Sequence, residues 1–110
     1  MSSGITVMRR LMCAFGLFGL AVTSVDLVHA ADIIKGAQIY AMHCVSCHGP
    51  AGNSVMPGVP NLARAERMLQ SDLALLATLR AGKNTMPGYA GILTDQQILD
   101  VIAYSRTLRR

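Results

Sequence analysis

The segment CVSCH, residues 44–48, constrains this chain of 110 residues more than any other feature. Two thiols separated by two residues are compatible with several kinds of site. A redox-active disulfide of this spacing belongs in a βαβ unit, and no alternating strand pattern surrounds the segment. A structural zinc ion needs four ligands, and the chain has no second closely spaced cysteine pair. The remaining interpretation follows from the histidine, because Cys-x-x-Cys-His is the attachment signature for haem c.

The spacing of these three residues suits a covalently bound haem. Cys44 and Cys47, near one helix end, can each add to one vinyl group of the same porphyrin. His48 then lies under the iron and donates an imidazole nitrogen. A haem would also fill the core of a small domain with few aromatic residues, which otherwise buries too little apolar surface. We therefore expect two thioethers, His48 as an iron ligand and one haem c as the cofactor.

The first 30 residues have the three parts of a secretory signal peptide. Arg9 and Arg10 precede the apolar run 11–22, and Val28-His29-Ala30 places small residues where a signal peptidase reads them. A retained membrane anchor is the alternative, but this run falls short of the roughly 20 residues that span a bilayer. We expect cleavage after Ala30, a mature domain over 31–110, a bacterial periplasmic location and no transmembrane span after cleavage.

The charge of the expected mature domain argues against nucleic acid as a partner. Residues 31–110 contain eight basic and five acidic residues, a net charge of +3. The basic residues form no long run, and few aromatic residues accompany them. Nucleic-acid binding therefore has little support.

The hydrophobic spacing predicts an all-α domain. Helices are expected over 32–47, over 72–81 with Ser71 as N-cap, and from the capping box of Thr94 to about Leu108. A short helical turn is expected over 66–69. The predicted core faces are Ile33, Ala37, Tyr40 and Ala41 in the first helix, Leu73, Leu76 and Ala77 in the second, and Ile98, Val101, Ile102 and Ser105 in the last.

Further motifs resemble those of the class I cytochromes c, in their short bacterial form. Gly36 and Tyr40 precede Cys44 at the spacing of the family's glycine and aromatic residue, and Ala103-Tyr104 is similar to the family's partner for that glycine. The segments GVPNL (58–62) and MPGY (86–89) also match. The resemblance implies the cytochrome c fold, with three to five short helices wrapped around one haem. It also implies that the first and last helices cross at Gly36.

The second iron ligand decides the chemistry, because iron held by His and Met shuttles one electron whereas an open position binds gases or peroxide. Met-Pro-Gly occurs twice, at Met56 and Met86, and reach alone does not choose between them. In the family, the carbonyl group at the position of Pro60 accepts a hydrogen bond from the ligating histidine. Pro60 would keep Met56 on the His48 face, while the helix over 72–81 can carry the chain to the other face. The resemblance therefore implies Met86 as the ligand.

Two smaller expectations follow for the surroundings of the haem. Asn84 and Thr85, just before Met86, are candidates to bond a haem propionate, as loop residues do in the family. The chain has no tryptophan to meet a propionate, and the span from Pro60 to Met86 is short, so the propionate side should be less covered than in larger members. His43 is expected to point elsewhere on its helix, into solvent.

Together these features predict a one-electron carrier between periplasmic or membrane-bound redox proteins, and not an enzyme. One alternative is an electron-transfer subunit of a larger dehydrogenase or nitrite reductase complex. Another is a haem enzyme or gas sensor with an open distal site, against which the position of Met86 argues. The sequence names neither the electron donor nor the acceptor.

Overall fold

The computed structural model describes residues 29–110, so the expected signal peptide lies outside the described residues. The helices are α1 (Ile33–His43), α2 (Val45–His48), α3 (Asp72–Ala81) and α4 (Asp95–Thr107), with a 3₁₀ turn at Leu62–Arg64. Within residues 29–110 the only extended pairing is two isolated bridges, so the all-α prediction is confirmed.

Helices α3 and α4 begin where their capping residues predicted. The hydroxyl of Ser71 accepts the N–H of Ala74 at 3.2 Å. Thr94 and Gln97 form the reciprocal capping box, with each side chain accepting the other's backbone N–H. These side chains satisfy N–H groups that no helical carbonyl can reach.

The N-terminal helix is not the single element that was predicted over 32–47. Helix α1 ends at His43, and α2 starts at Val45, because Cys44 takes φ −117° and breaks the regular helix. The predicted helical turn over 66–69 is also wrong. The 3₁₀ turn lies earlier, where the Asn61 side chain caps its start, and it ends at Ala65 in the left-handed conformation.

Helices α1 and α4 cross at Gly36, as expected. A Cβ atom on Gly36 would lie 2.1 Å from the carbonyl oxygen of Asp100 and 2.9 Å from Cβ of Tyr104. The rings of Tyr40 and Tyr104 meet edge to face beside the crossing, with centroids 5.3 Å apart. Only a residue without a side chain permits this approach of the two backbones.

The core confirms the predicted face of α4, since Ile98, Val101, Ile102 and Ser105 are all buried. The faces predicted for the other helices are partly wrong. In α1 the buried residues are Gly36, Ile39 and Tyr40. In α3 Leu73 is 75% exposed, and Leu75 is the buried residue. The buried face of α1 is therefore the one that contacts α4 at Gly36, and it shares only Tyr40 with the predicted face.

Candidate haem site

A cavity of about 240 Å³ lies between α1, α3, α4 and the two loops that follow α2 and α3. Its apolar walls include Leu62, Leu75, Leu79, Val101 and Ile102. The structure brings all the predicted site residues to this cavity: Cys44, Cys47, His48, Pro60 and Met86 line it. Met56 is not among its lining residues and is 40% exposed.

His48 ends α2 with the Nδ1 edge of its ring directed at a fixed acceptor. Its Nδ1 lies 3.1 Å from the carbonyl oxygen of Pro60. A carbonyl only accepts, so Nδ1–H is the donor, and the lone pair of the neutral ring is on Nε2. Burial lowers the pKa of His48, while the Pro60 carbonyl acts in the opposite direction. A neutral imidazole of defined tautomer is the form that binds a metal.

The loop after α2 folds back on itself to place Pro60 beside His48. The N–H of Leu62 donates to the carbonyl oxygen of Gly52 at 2.9 Å, which closes the loop. Inside it, the hydroxyl of Ser54 donates to the carbonyl oxygen of Val59 at 2.7 Å. These bonds fix the backbone on either side of Pro60, so its carbonyl group can orient the imidazole.

The two cysteines of the motif are half-buried and line the cavity together with His48. Before a haem is attached, burial, with a smaller effect of neighbouring Cys47, raises the pKa of the Cys44 thiol to about 11. Within the described residues no cluster of His, Cys, Asp and Glu could hold a bare metal ion. Two thiols, one neutral imidazole and an apolar cavity fit a covalently attached haem better than a naked metal.

Met86 enters the cavity from a tight turn. The N–H of Met86 donates to the carbonyl oxygen of Lys83 at 2.9 Å, and the N–H of Lys83 donates back to Met86 at 3.0 Å. Asn84, inside the turn, takes the left-handed φ of 54° that asparagine tolerates better than most residues. Both backbone polar groups of Met86 are thereby paired, so its backbone is held at a position where the residue lines the cavity.

The Met86 turn packs against the C-terminal end of α3 and is hydrogen-bonded to it. The N–H groups of Tyr89 and Ala90 donate to two carbonyl groups in the last turn of the helix, at Leu79 (2.8 Å) and Arg80 (3.2 Å). A Cβ on Gly88 would lie 2.8 Å from the Arg80 oxygen. Helix α3 thus carries the chain to this side of the cavity and also anchors the loop that presents the sulfur.

Two tyrosines hold the walls of the cavity together, a role that spacing alone did not reveal. The hydroxyl of buried Tyr89 donates to the carbonyl oxygen of His43 at 3.1 Å, which ties the Met86 loop to the end of α1. The hydroxyl of Tyr40 donates to the carbonyl oxygen of Gly49 at 2.7 Å, just beyond His48. His43 was expected in solvent, but it is half-buried against Tyr89 and lines the cavity.

Polar residues at the cavity include some that the sequence did not single out. Asn84 and Thr85 line it, and their bonding to a haem propionate stays a prediction. Arg67 and Lys83 line it as well. The sequence pattern did not predict Arg67 as a lining residue. Its backbone has a left-handed φ of 63°, and nothing in the local sequence predicts that conformation.

Cytochromes are among the known proteins that resemble this chain, in agreement with the haem site. The family model described as "Cytochrome C oxidase, cbb3-type, subunit III" matches residues 31–104. Cytochrome c6 of Thermosynechococcus vestitus is 37% identical over 95 residues, 84% of each chain. Cytochrome c6 of Gracilaria tenuistipitata is 33% identical over 99 residues, 88% of this chain and 92% of that one.

A solved structure agrees with these relatives. The structure of cytochrome c6 from the diatom Phaeodactylum tricornutum superposes with a TM-score of 0.58 at 27% identity, covering 70% of this chain and 93% of that chain. The described helices thus form the fold of that protein. The chain belongs to the cytochrome c family and carries one covalently bound haem c.

Proposed function

We propose that this protein carries single electrons between redox proteins, with His48 and Met86 holding the haem iron and Cys44 and Cys47 holding the porphyrin. The proposal is supported mainly by one observation: all four residues line the same cavity, and the Nδ1–H of His48 donates to the carbonyl oxygen of Pro60. That bond leaves Nε2 as the donor on one side, and Met86 is presented by a loop anchored elsewhere in the chain.

The residues of the site favour electron transfer over chemistry on a substrate. When bound, the haem supplies a one-electron couple. His48 and Met86 would occupy both axial positions, so the protein offers no open position to a substrate. The thioether of Met86 is a soft donor that favours the reduced iron. The apolar walls exclude water, and the hydrogen-bonded loops keep both ligands in place during the change of oxidation state.

Replacement of the two methionines tests the ligand assignment. Met86→Ala should abolish the far-red sulfur-to-iron band of the oxidised protein and allow the reduced protein to bind carbon monoxide. Met56→Ala is the matched control, since it removes the same side chain from the other Met-Pro-Gly tripeptide. The control should keep both properties of the wild type. The reverse behaviour of the two variants would refute the assignment, and ready binding of carbon monoxide by the wild type would favour the gas sensor.

We also propose that residues 1–30 are removed on export to the periplasm and that residues 31–110 are the working domain. The basic pair, apolar run and small residues before Ala31 support this. In residues 29–110 no helix has the length and apolar character to cross a membrane. The intact mass of the haem protein from a periplasmic extract should correspond to a chain starting at Ala31. A mass that includes the first 30 residues would refute cleavage.

The electron donor and acceptor are proposed to dock on the uncharged segment 41–58. This segment contains no Lys, Arg, Asp or Glu. Met42 is 71% exposed and Val55 is 65% exposed, and the N–H of Val55 donates to the carbonyl oxygen of Cys47 at 3.0 Å. The segment therefore adjoins the expected thioether edge of the haem. A small apolar contact suits partners that must separate quickly.

A further inference from the structure

Asp100 is a buried carboxylate that has no cationic partner within residues 29–110. It lies on α4 at the crossing with α1 and is only 2% exposed. The ion pairs formed within this range involve other acids, at positions 32, 72 and 95. Aspartate is seldom fully buried unless it is paired, because removing a carboxylate from water is costly. The helix crossing therefore contains a negative charge that the described chain does not compensate.

The Asp100 carboxylate is directed at the first residues of the domain. Its Oδ1 accepts the backbone N–H of Asp32 at 2.8 Å and the side-chain amide of Gln96 at 2.9 Å. Both donors are neutral, and within residues 29–110 no hydrogen bond is made to Oδ2. The nearby start of α1 adds only the fractional positive charge of a helix N-terminus. One oxygen of this carboxylate is thus available to a charged donor from the N-terminal side.

The expected cleavage site lies one residue before this bond between Asp32 and Asp100. Cleavage after Ala30 converts the backbone nitrogen of Ala31 from a peptide N–H into an ammonium group, which is mostly charged at pH 7. By standard bond lengths that nitrogen is at most about 3.6 Å from the nitrogen of Asp32. Ala31 is exposed, and cleavage releases it from the preceding residue. Rotation about its Cα–C bond can therefore direct the ammonium group to Oδ2 of Asp100.

We propose that the new α-amino group of Ala31 pairs with the buried Asp100 carboxylate, so that removal of the signal peptide stabilises the crossing of α1 and α4. The inference rests on the cleavage proposed above. In the uncut chain the same nitrogen is acylated and uncharged, so Asp100 stays without a cation. Asp32 is the other acid near the new terminus, but its carboxylate accepts the N–H groups of Ile34 and Lys35 and pairs with the Lys35 ammonium group. The pair thus favours the folded state in the processed chain alone.

Denaturant unfolding of two forms of the haem protein tests this pairing. One form begins at Ala31. The other has Gly-Ser inserted between Ala30 and Ala31, so that the same cleavage leaves two extra residues, and intact mass verifies both N-termini. The extension should lower the equilibrium constant for folding roughly three- to thirtyfold, the effect of a hydrogen bond to a charged group reduced for the exposure of the amine. An extension without effect would overturn the proposal.

Two variants, each made in both forms, identify the acid that pairs with the amine. In Asp100→Asn the extension should have little effect, because the charge that attracts the amine is gone. Asp32→Asn is the matched control, since it removes the other nearby charge and keeps a good N-cap residue. In Asp32→Asn the extension should act as it does in the wild type. An extension effect that persists in Asp100→Asn, or that disappears in Asp32→Asn, would overturn the assignment.

A crystal structure of the haem protein that begins at Ala31 gives a test without a variant. It should show the amino nitrogen of Ala31 within hydrogen-bond distance of the Asp100 carboxylate, and an amino group directed into solvent would overturn the proposal. Failure of the proposed cleavage would appear separately, as a native periplasmic protein whose mass does not correspond to a start at Ala31.

Discussion

Gly88→Ala should weaken the bond between Met86 and the iron while leaving the fold intact. A Cβ at residue 88 would lie 2.8 Å from the carbonyl oxygen of Arg80 and 2.9 Å from the carbonyl carbon and oxygen of Ala81. These are backbone atoms at the end of α3, which cannot rotate away as a side chain can. The loop must therefore move outward by about 0.5 Å to restore ordinary contact distances.

The size of the effect follows from the cost of this crowding. Forcing one extra methyl group into a packed site costs about 1–3 kcal/mol. Met86 lies two residues before Gly88, so moving the loop to relieve the strain displaces the sulfur. A free energy of that size corresponds to a change of about 5- to 150-fold in an equilibrium. The fraction of reduced protein with the sulfur detached, which is able to bind carbon monoxide, should rise by such a factor.

The assay is the apparent affinity of the reduced protein for carbon monoxide, together with the far-red band of the oxidised protein. Gly91→Ala is the control. Gly91 has φ of 81° but nothing within 4 Å of its Cβ position, so alanine there costs about 1 kcal/mol in conformation without a clash. It should lower stability and leave the band unchanged. If Gly88→Ala leaves both readouts unchanged, or if Gly91→Ala changes them equally, crowding at α3 does not set the position of the sulfur.

Three further outcomes are expected. Burial raises the pKa of Tyr40 from 10.0 to about 12, so its protonated form stabilises the fold. This contribution is complete below pH 10 and is lost as the pH rises towards 12. Burial also raises the pKa of Tyr89, so denaturant unfolding should show a smaller loss in Tyr40→Phe than in the wild type, and an equal loss in both would contradict the role of Tyr40. Replacing Cys44 and Cys47 together by alanine should leave a largely unfolded chain without haem, whereas native helix content by circular dichroism would contradict this. The bimolecular rate with a physiological partner should change little with salt, because segment 41–58 is uncharged, and a steep fall would show that charges elsewhere govern docking.

The features that the sequence predicted well depend on local chemistry. Ser71 and Thr94 start their helices with hydrogen bonds that span three residues. The apolar spacing of α4 identified its buried face. The glycine at position 36 indicated a close helix approach, although the contacting carbonyl group of Asp100, 64 residues away, was not foreseen.

The features that were missed have no local sequence signal, and one of them depends on a contact between distant segments. The break at Cys44 leaves its N–H bonded to the carbonyl oxygen of Tyr40 at 2.9 Å, as in a continuous helix, so no local signal marks it. Ala65 and Arg67 adopt left-handed conformations without being glycine. The turn that contains them is enforced by Arg106 of α4, which no window of neighbouring residues includes.

The two Met-Pro-Gly tripeptides show how surroundings decide the use of one local sequence. In the first, Gly58 has nothing within 4 Å of its Cβ position, and Met56 is 40% exposed. In the second, Gly88 is pressed against the end of α3, and Met86 lines the cavity. Proline and glycine shape the turn in both cases, but of the two glycines only Gly88 packs against the end of a helix. The helix end gives the second turn a fixed support, so identical tripeptides leave Met56 partly exposed and outside the cavity and place Met86 in the cavity wall, where the proposed ligand is needed.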